Sequence, residues 1–137
     1  MSAVLAVIAR LEAVSAVTAL VPAARIYNGV LPQDAVFPAI RVQRVSEDER
    51  MHLRGMGRRR TRVQVDAISA AGDPVGAAQA IDSAIHGNGS GSALVGFKGT
   101  VGGYTVDAVL PTGVREGYDA DELRQYRVMR DVFVWWQ

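Results

Sequence analysis

Tyr126-Arg-Val-Met-Arg-Asp-Val-Phe-Val-Trp-Trp136 is the stretch on which the fold turns. In an extended chain successive side chains point to opposite sides, so Val128, Val132, Val134 and Trp136 share one face and Met129, Phe133 and Trp135 the other. Both faces of the strand's end are apolar. Such a strand has to be covered twice, by a helix layer on one side and by a neighbouring subunit on the other.

Working back from it, Phe97–Val101, Gly102-Gly103 and Tyr104–Leu110 spell a hairpin, because a Gly-Gly pair takes the positive φ angles of a two-residue turn. Ile40–Val45 and Arg60–Ile68 alternate in the same way, with Ile40 and Val42 on one face of the first, and Val63, Val65 and Ala67 on one face of the second. The stretch between them, at about 46–59, is charged and lacks an apolar stripe, and reads as a mobile loop or extended arm. Arg115–Leu123 reads as a polar connection, and residues 87–92, Gly-Asn-Gly-Ser-Gly-Ser, as a flexible linker.

Two helices complete the set. Ser2 caps the first, whose Val4, Val7, Ile8, Leu11, Val14, Val17 and Val21 form one stripe ended by Pro22. Asp73-Pro74 starts the second in N-cap then N1 order, with Val75, Ala78, Ile81 and Ile85 as its stripe and Gly87 as its stop. The order helix, strands, helix, strands predicts a single α+β domain over residues 1–137, a mainly antiparallel sheet with two helices packed on it.

The 137 residues contain no cysteine, which removes disulfides, thiolate metal sites and cysteine nucleophiles together. His52 and His86 are the two histidines, and neither has a second ligand or a catalytic serine at a recognisable spacing. His86 falls in the last turn of a helix, where a positive charge suits the dipole. The glycines from Gly87 follow a helix rather than opening one, the wrong order for a phosphate cradle. The apolar run Ala3–Ala9 is broken by Arg10 and Glu12 with no basic stretch ahead of it, so a soluble, cytoplasmically made protein is expected. No catalytic, cofactor or metal residue is assigned, and no enzyme activity is expected.

Charge is unevenly placed. Between Arg41 and Arg62 stand eight arginines against three acids, a local +5 within a chain whose formal total is +1. Much of the balancing negative charge lies in Glu116, Asp119, Asp121 and Glu122. Separate basic and acidic patches suit a heterologous, head-to-tail contact between copies. The residues expected to meet a subunit, a partner or DNA are therefore Arg50, Arg54, Arg58, Arg59, Arg60, Glu116, Asp119, Asp121 and Glu122, with Phe133, Trp135 and Trp136 as anchors of core or assembly. A nucleic-acid module acting through Arg54–Arg62 is the alternative from another class, though no aromatic is interleaved among those arginines for base stacking.

The motifs in order resemble those of the tail completion or tail terminator proteins of long-tailed bacteriophages and related gene-transfer particles. The resemblance rests on Ala19-Leu20-Val21, Arg25-Ile26-Tyr27, Gly29 and Pro32, then Arg60-Thr-Arg62-Val-Gln-Val-Asp66, Phe97-Lys-Gly-Thr-Val-Gly-Gly103, and Tyr126-Arg127 through Trp136. It implies a ring of six copies in the neck of a virion, assembled in the host cytoplasm, that caps the tail tube, stops its growth and offers a surface to the head-side connector or stopper protein. The implied partners are other copies, the tail tube protein and that connector, with passive contact to DNA in the lumen and no membrane. Another neck or head-closure component is the nearest alternative.

Overall fold

The computed structural model describes residues 3–52, 55–87, 93–119 and 125–136, with side chains for all of these except 49–52, 55–58, 75, 118 and 119. Helix α1 (Ala3–Ala13) is followed by the short α2 (Ser15–Thr18), and α3 (Val75–His86) lies between the strands. The strands are β1 (Ile26–Asn28), β2 (Ala39–His52), β3 (Gly55–Ile68), β4 (Gly99–Val101), β5 (Tyr104–Asp119) and β6 (Gln125–Trp136). They form one sheet in the order β1-β2-β3-β6-β5-β4, parallel at β1/β2 and antiparallel everywhere else. The α+β architecture, with helices on a mostly antiparallel sheet, is the expected one.

The apolar stripe of the first helix is interrupted. Val14 adopts an extended backbone (φ −101°, ψ 115°), and the chain resumes as α2. Val-Ser-Ala-Val-Thr is rich in β-branched and backbone-competing side chains, which weakens a helix at this point. Val17 and Val21 still reach the core after the break. At α3 the start differs as well: Pro74 occupies the cap position, and the Asp73 carboxylate accepts the Ala70 N–H (3.2 Å) instead of capping the helix. Gly87 ends α3 with φ 78°, in the left-handed region that glycine enters freely.

The charged stretch at 46–59, expected as a loop, is instead, over its described residues 46–52 and 55–59, the outer half of the β2/β3 ribbon, with Asp48 across from Arg60 and Glu49 from Arg59. Likewise the polar connection expected from Arg115 is strand as far as Asp119, paired to β6. Alternation of apolar and polar residues marks a strand only where one face is buried. Here the pairing is held by backbone bonds and by unlike cross-strand pairs, such as Arg60 with Asp48 and Thr61 with Glu47 (2.8 Å).

One face of the sheet carries Ile40, Val42, Val63, Val65, Ala67, Val128, Val132, Val134 and Trp136, and these pack with Val4, Val7 and Leu11 of α1 and Ala78, Ile81 and Ile85 of α3 in a single core. Trp136 seals its upper end at 2% exposure: its Nε1 donates to Thr61 Oγ1 (2.9 Å), and its ring meets Tyr104 edge-on at 6.4 Å. The β4/β5 turn is Gly102-Gly103, with φ 57° and 82°. A Cβ on Gly102 would stand 3.0 Å from the Ala9 side chain, so the turn also needs glycine to let α1 approach.

Candidate functional site

The opposite face of the sheet is the feature that asks for a function. Met129, Phe133 and Trp135, the second set of the last strand, lie outside the core and are half-buried, and Leu110 beside them on β5 is exposed. Strand alternation dictates this: each residue of β6 that enters the core sends its neighbour out. The expectation of a strand apolar on both sides therefore holds, and the outward set is still partly open to solvent.

Across the lower part of this face runs a row of internal ion pairs. Arg41 Nε and Nη2 both donate to Asp66 Oδ2 (3.1 and 2.6 Å), and Gln64 Nε2 donates to Oδ1 of the same carboxylate (2.8 Å). Asp66 is fully buried. A buried carboxylate is tolerated only when its lone pairs are met, as these are. One step up the sheet Arg62 Nε and Nη2 converge on Asp131 Oδ2 (2.9 and 2.6 Å). Higher still Arg60, paired to Asp48, lays its guanidinium over Phe133 (4.9 Å to the ring centre) and Trp135 (5.6 Å). Arg59, on the core side, stands 5.3 Å from the Trp136 ring.

Part of the basic segment is therefore neutralised within the chain. Arg41, Arg60 and Arg62 each have a carboxylate, and Arg44 lies 3.9 Å from Glu47. Sequence counting saw the surplus of arginine but not its partners, because Asp66 falls just past the counted segment and Asp131 stands in a strand far along the chain. The one available signal was the unlike charge at alternate positions in β3 and β6.

Of the residues singled out in the sequence, Arg59, Arg60, Phe133, Trp135 and Trp136 meet at the upper end of β3 and β6. Glu116 is elsewhere, on β5, where its Oε1 accepts from Gln79 Nε2 of α3 (3.4 Å). Arg50, Arg58 and Asp119 lie on the backbones of β2, β3 and β5. Arg54, Asp121, Glu122 and residues 88–92 fall outside the described residues. Among the described residues no three His, Asp or Glu side chains gather as a metal site, and no helix is long and apolar enough to cross a membrane.

His86 departs from the dipole reading. Its side chain is buried, both ring nitrogens lack a hydrogen-bond partner, and Asp82 Oδ1 is 3.8 Å from Nε2. Asp82 is engaged by Arg130, whose Nε and Nη2 reach its two oxygens at 3.1 and 2.8 Å. Burial, reinforced by the positive charge of Arg130, pushes the imidazole pKa down from 6.5 to about 3. The ring is neutral at ordinary pH and serves as packing under α3.

The sequence model of tail completion protein gp17 matches residues 5–135. The chain belongs to the tail completion protein gp17 family. It is accordingly a structural component of a phage-type tail. A solved structure entitled "Virion of native gene transfer agent (GTA) particle" contains a chain of the same fold, with TM-score 0.70 and 17% identity, covering 98% of this chain and 94% of that one. No curated protein matches the sequence. In this gp17-family fold, surface rather than cleft is the conspicuous product: two strand ribbons extending past the core and a helix-free face bearing aromatic side chains.

Proposed function

We infer that this protein ends the tail tube as a ring of identical subunits, stops tube elongation, and presents the tail-side surface to which the head-side connector joins. The reading rests on family membership together with one observation, the outward row of Met129, Phe133, Trp135 and Leu110 on a sheet face that no core element buries among the described residues. Half-exposed aromatics on a rigid sheet are costly to leave in water, and they are the residue types enriched where proteins meet. Six copies, as the family resemblance implies, would close the ring. The arginines and acids of the two ribbons act at contacts between copies or with partners, and DNA passes the ring without being read.

Binding of nucleic acid by the free chain is the weaker reading, since Arg41, Arg60 and Arg62 already have carboxylates and would release few counterions on meeting phosphates. Native mass measurement of the purified chain, alone and with the tail tube protein, tests the proposal. A closed ring, and tubes of fixed length when it is present, are the expected results. A chain that stays monomeric beside both the tube protein and the connector would refute it.

A further inference from the structure

The sheet has two open edges, and they lie at diagonally opposite corners. β1 covers β2 only at residues 40–42, with Gly29 N–H adding a bond to the Val42 carbonyl, so residues 43–52 have no partner on that side among the described residues. At the other edge β4 covers β5 only at residues 104–106, and Gly96 N–H takes the Val109 carbonyl, leaving residues 110–119 open. Each notch is ten residues long. β2 runs up the sheet and β5 runs down it, so the two notches of adjacent copies in the same orientation meet antiparallel.

We propose that the open edge of β2 in one copy pairs with the open edge of β5 in the next, joining the subunits of the ring into one continuous sheet. The inference rests on the ring reading above and names its contact. An unpaired row of backbone donors and acceptors is a template for another strand, and proteins otherwise blunt such edges. The occupant has to fit both notches at once, being bounded by β1 below and β4 above, and a second copy does so by construction.

Three of the exposed large apolar side chains of the chain, Val45, Leu110 and Val114, sit on the notch strands. Each notch also borders an unfilled hollow, one of about 250 Å³ lined by Gln43 and Arg44 with Val4, Asn28 and Gly29, the other of about 350 Å³ lined by Thr112, Gly113, Val114 and Arg115 with Arg62, Met129 and Asp131. Pro111 brings no N–H and so marks the upper limit of the new ladder.

Face continuity fixes the register to steps of two. Asp48 is on the helix-free face, since it stands across from Arg60, and Arg115 is on the same face across from Met129. The register that sets Asp48 opposite Arg115 joins unlike charges, and Arg115 has no ion pair among the described residues. It also sets Glu47 directly opposite Glu116 on the other face, a like-charge pair whose cost is lessened by the hydrogen bonds that each carboxylate accepts, from Thr61 and from Gln79. Within one chain Asp48 is level with Arg60 and Arg115 with Asp66, so neighbouring copies are staggered by six residues. At roughly 3.3 Å per residue that is about 20 Å over a width of four strands, about 19 Å, and the strands tilt by about 45° to the ring axis. Closed barrels need a stagger and tilt of this size.

The absence of cysteine makes the test clean. The double variant Asp48→Cys with Arg115→Cys, assembled and then oxidised, is expected to give a covalent ladder on a non-reducing denaturing gel that stops at the subunit number of the ring. The pair Asp48→Cys with Thr100→Cys, which moves one cysteine to the covered stretch, is expected to give none. A second measurement uses charge: Asp48→Arg alone and Arg115→Asp alone each raise the concentration needed for assembly at least tenfold, and an equimolar mixture restores it, because every contact in an alternating ring is again unlike. Rings that form without the ladder, or single variants that assemble like the wild type, overturn the edge contact while leaving the ring itself standing. Absence of any ring from the wild type with the tube protein present refutes the ring reading instead, and the edge contact falls with it.

Discussion

The two adjacent tryptophans at the end of β6, on opposite faces of the strand, are expected to behave oppositely when truncated. Trp136 is 2% exposed, hydrogen-bonded to Thr61 and edge-on to Tyr104, whereas Trp135 is half-buried on the helix-free face under Arg60. Removing a buried tryptophan costs about 3–5 kcal/mol in lost transfer energy and cavity. For a chain of this length about 4 kcal/mol corresponds to a fall in Tm of about 14 °C. Trp135→Ala gives up part of an exposed area and a cation–π contact, about 1 kcal/mol, hence a shift of only a few degrees. Thermal melts followed by circular dichroism, on samples diluted until sedimentation shows monomer, isolate the fold. The same two variants at assembly concentration then report the ring. Trp136→Ala should melt far below wild type, and Trp135→Ala should melt near wild type and assemble poorly. Equal melting shifts for the two, or full assembly of Trp135→Ala, would show that Trp135 has no role in assembly separate from the fold.

Other perturbations follow from single sites. His86 stays neutral in the folded chain down to about pH 3 but takes a proton near 6.5 once unfolded, so the unfolded state binds more protons between those values and stability falls as pH drops. Between pH 7 and pH 5 the loss is about 2 kcal/mol, and denaturant titrations at the two pH values should show it in wild type and not in His86→Gln. Asp66→Ala leaves Arg41 and Gln64 without their shared acceptor and should cost about 3 kcal/mol by equilibrium urea unfolding. Gly102→Ala forces a side chain into φ 57° against Ala9 and should lower stability by about 1–2 kcal/mol, read by the same titration.

Apolar periodicity read the core side of this fold well, and for a physical reason. Val63, Val65 and Ala67, the α3 stripe and the Gly-Gly turn are all places where burial or a positive φ imposes a residue type. It failed where nothing is buried. The ribbon from Ser46 to His52 and from Gly55 to Arg60 is paired along its inner edges, and at Glu47, Asp48, Arg59 and Arg60 it carries charge on both faces, so no alternation records it. The break at Val14 was hidden for the opposite reason, because Val17 and Val21 keep contact with the core on either geometry. For the candidate site, the aromatic half of the outward face was legible from the doubled pattern of β6. The ionic half was not, since Arg41 finds Asp66, and Arg62 finds Asp131, only through strand order.

That order changes what the arginine-rich segment can do. A local excess of eight arginines over three acids suggests a free cationic patch, yet β3 lies between β2 and β6, and each of those neighbours brings a carboxylate to it: Asp48 to Arg60 and Asp131 to Arg62. Exposed ion pairs of this kind add little to stability, but they orient their side chains and cancel their fields. A sheet face whose charges are already paired repels neither a copy of itself nor passing DNA. Specificity in joining copies then has to come from features that the single chain leaves open, and on the described residues those are the exposed apolar side chains Leu110 and Val114, the unpaired Arg115, and two strand edges open at opposite corners. Because the edges are diagonal, a contact that uses one leaves the other free for the next subunit, so growth continues until the ring closes on itself.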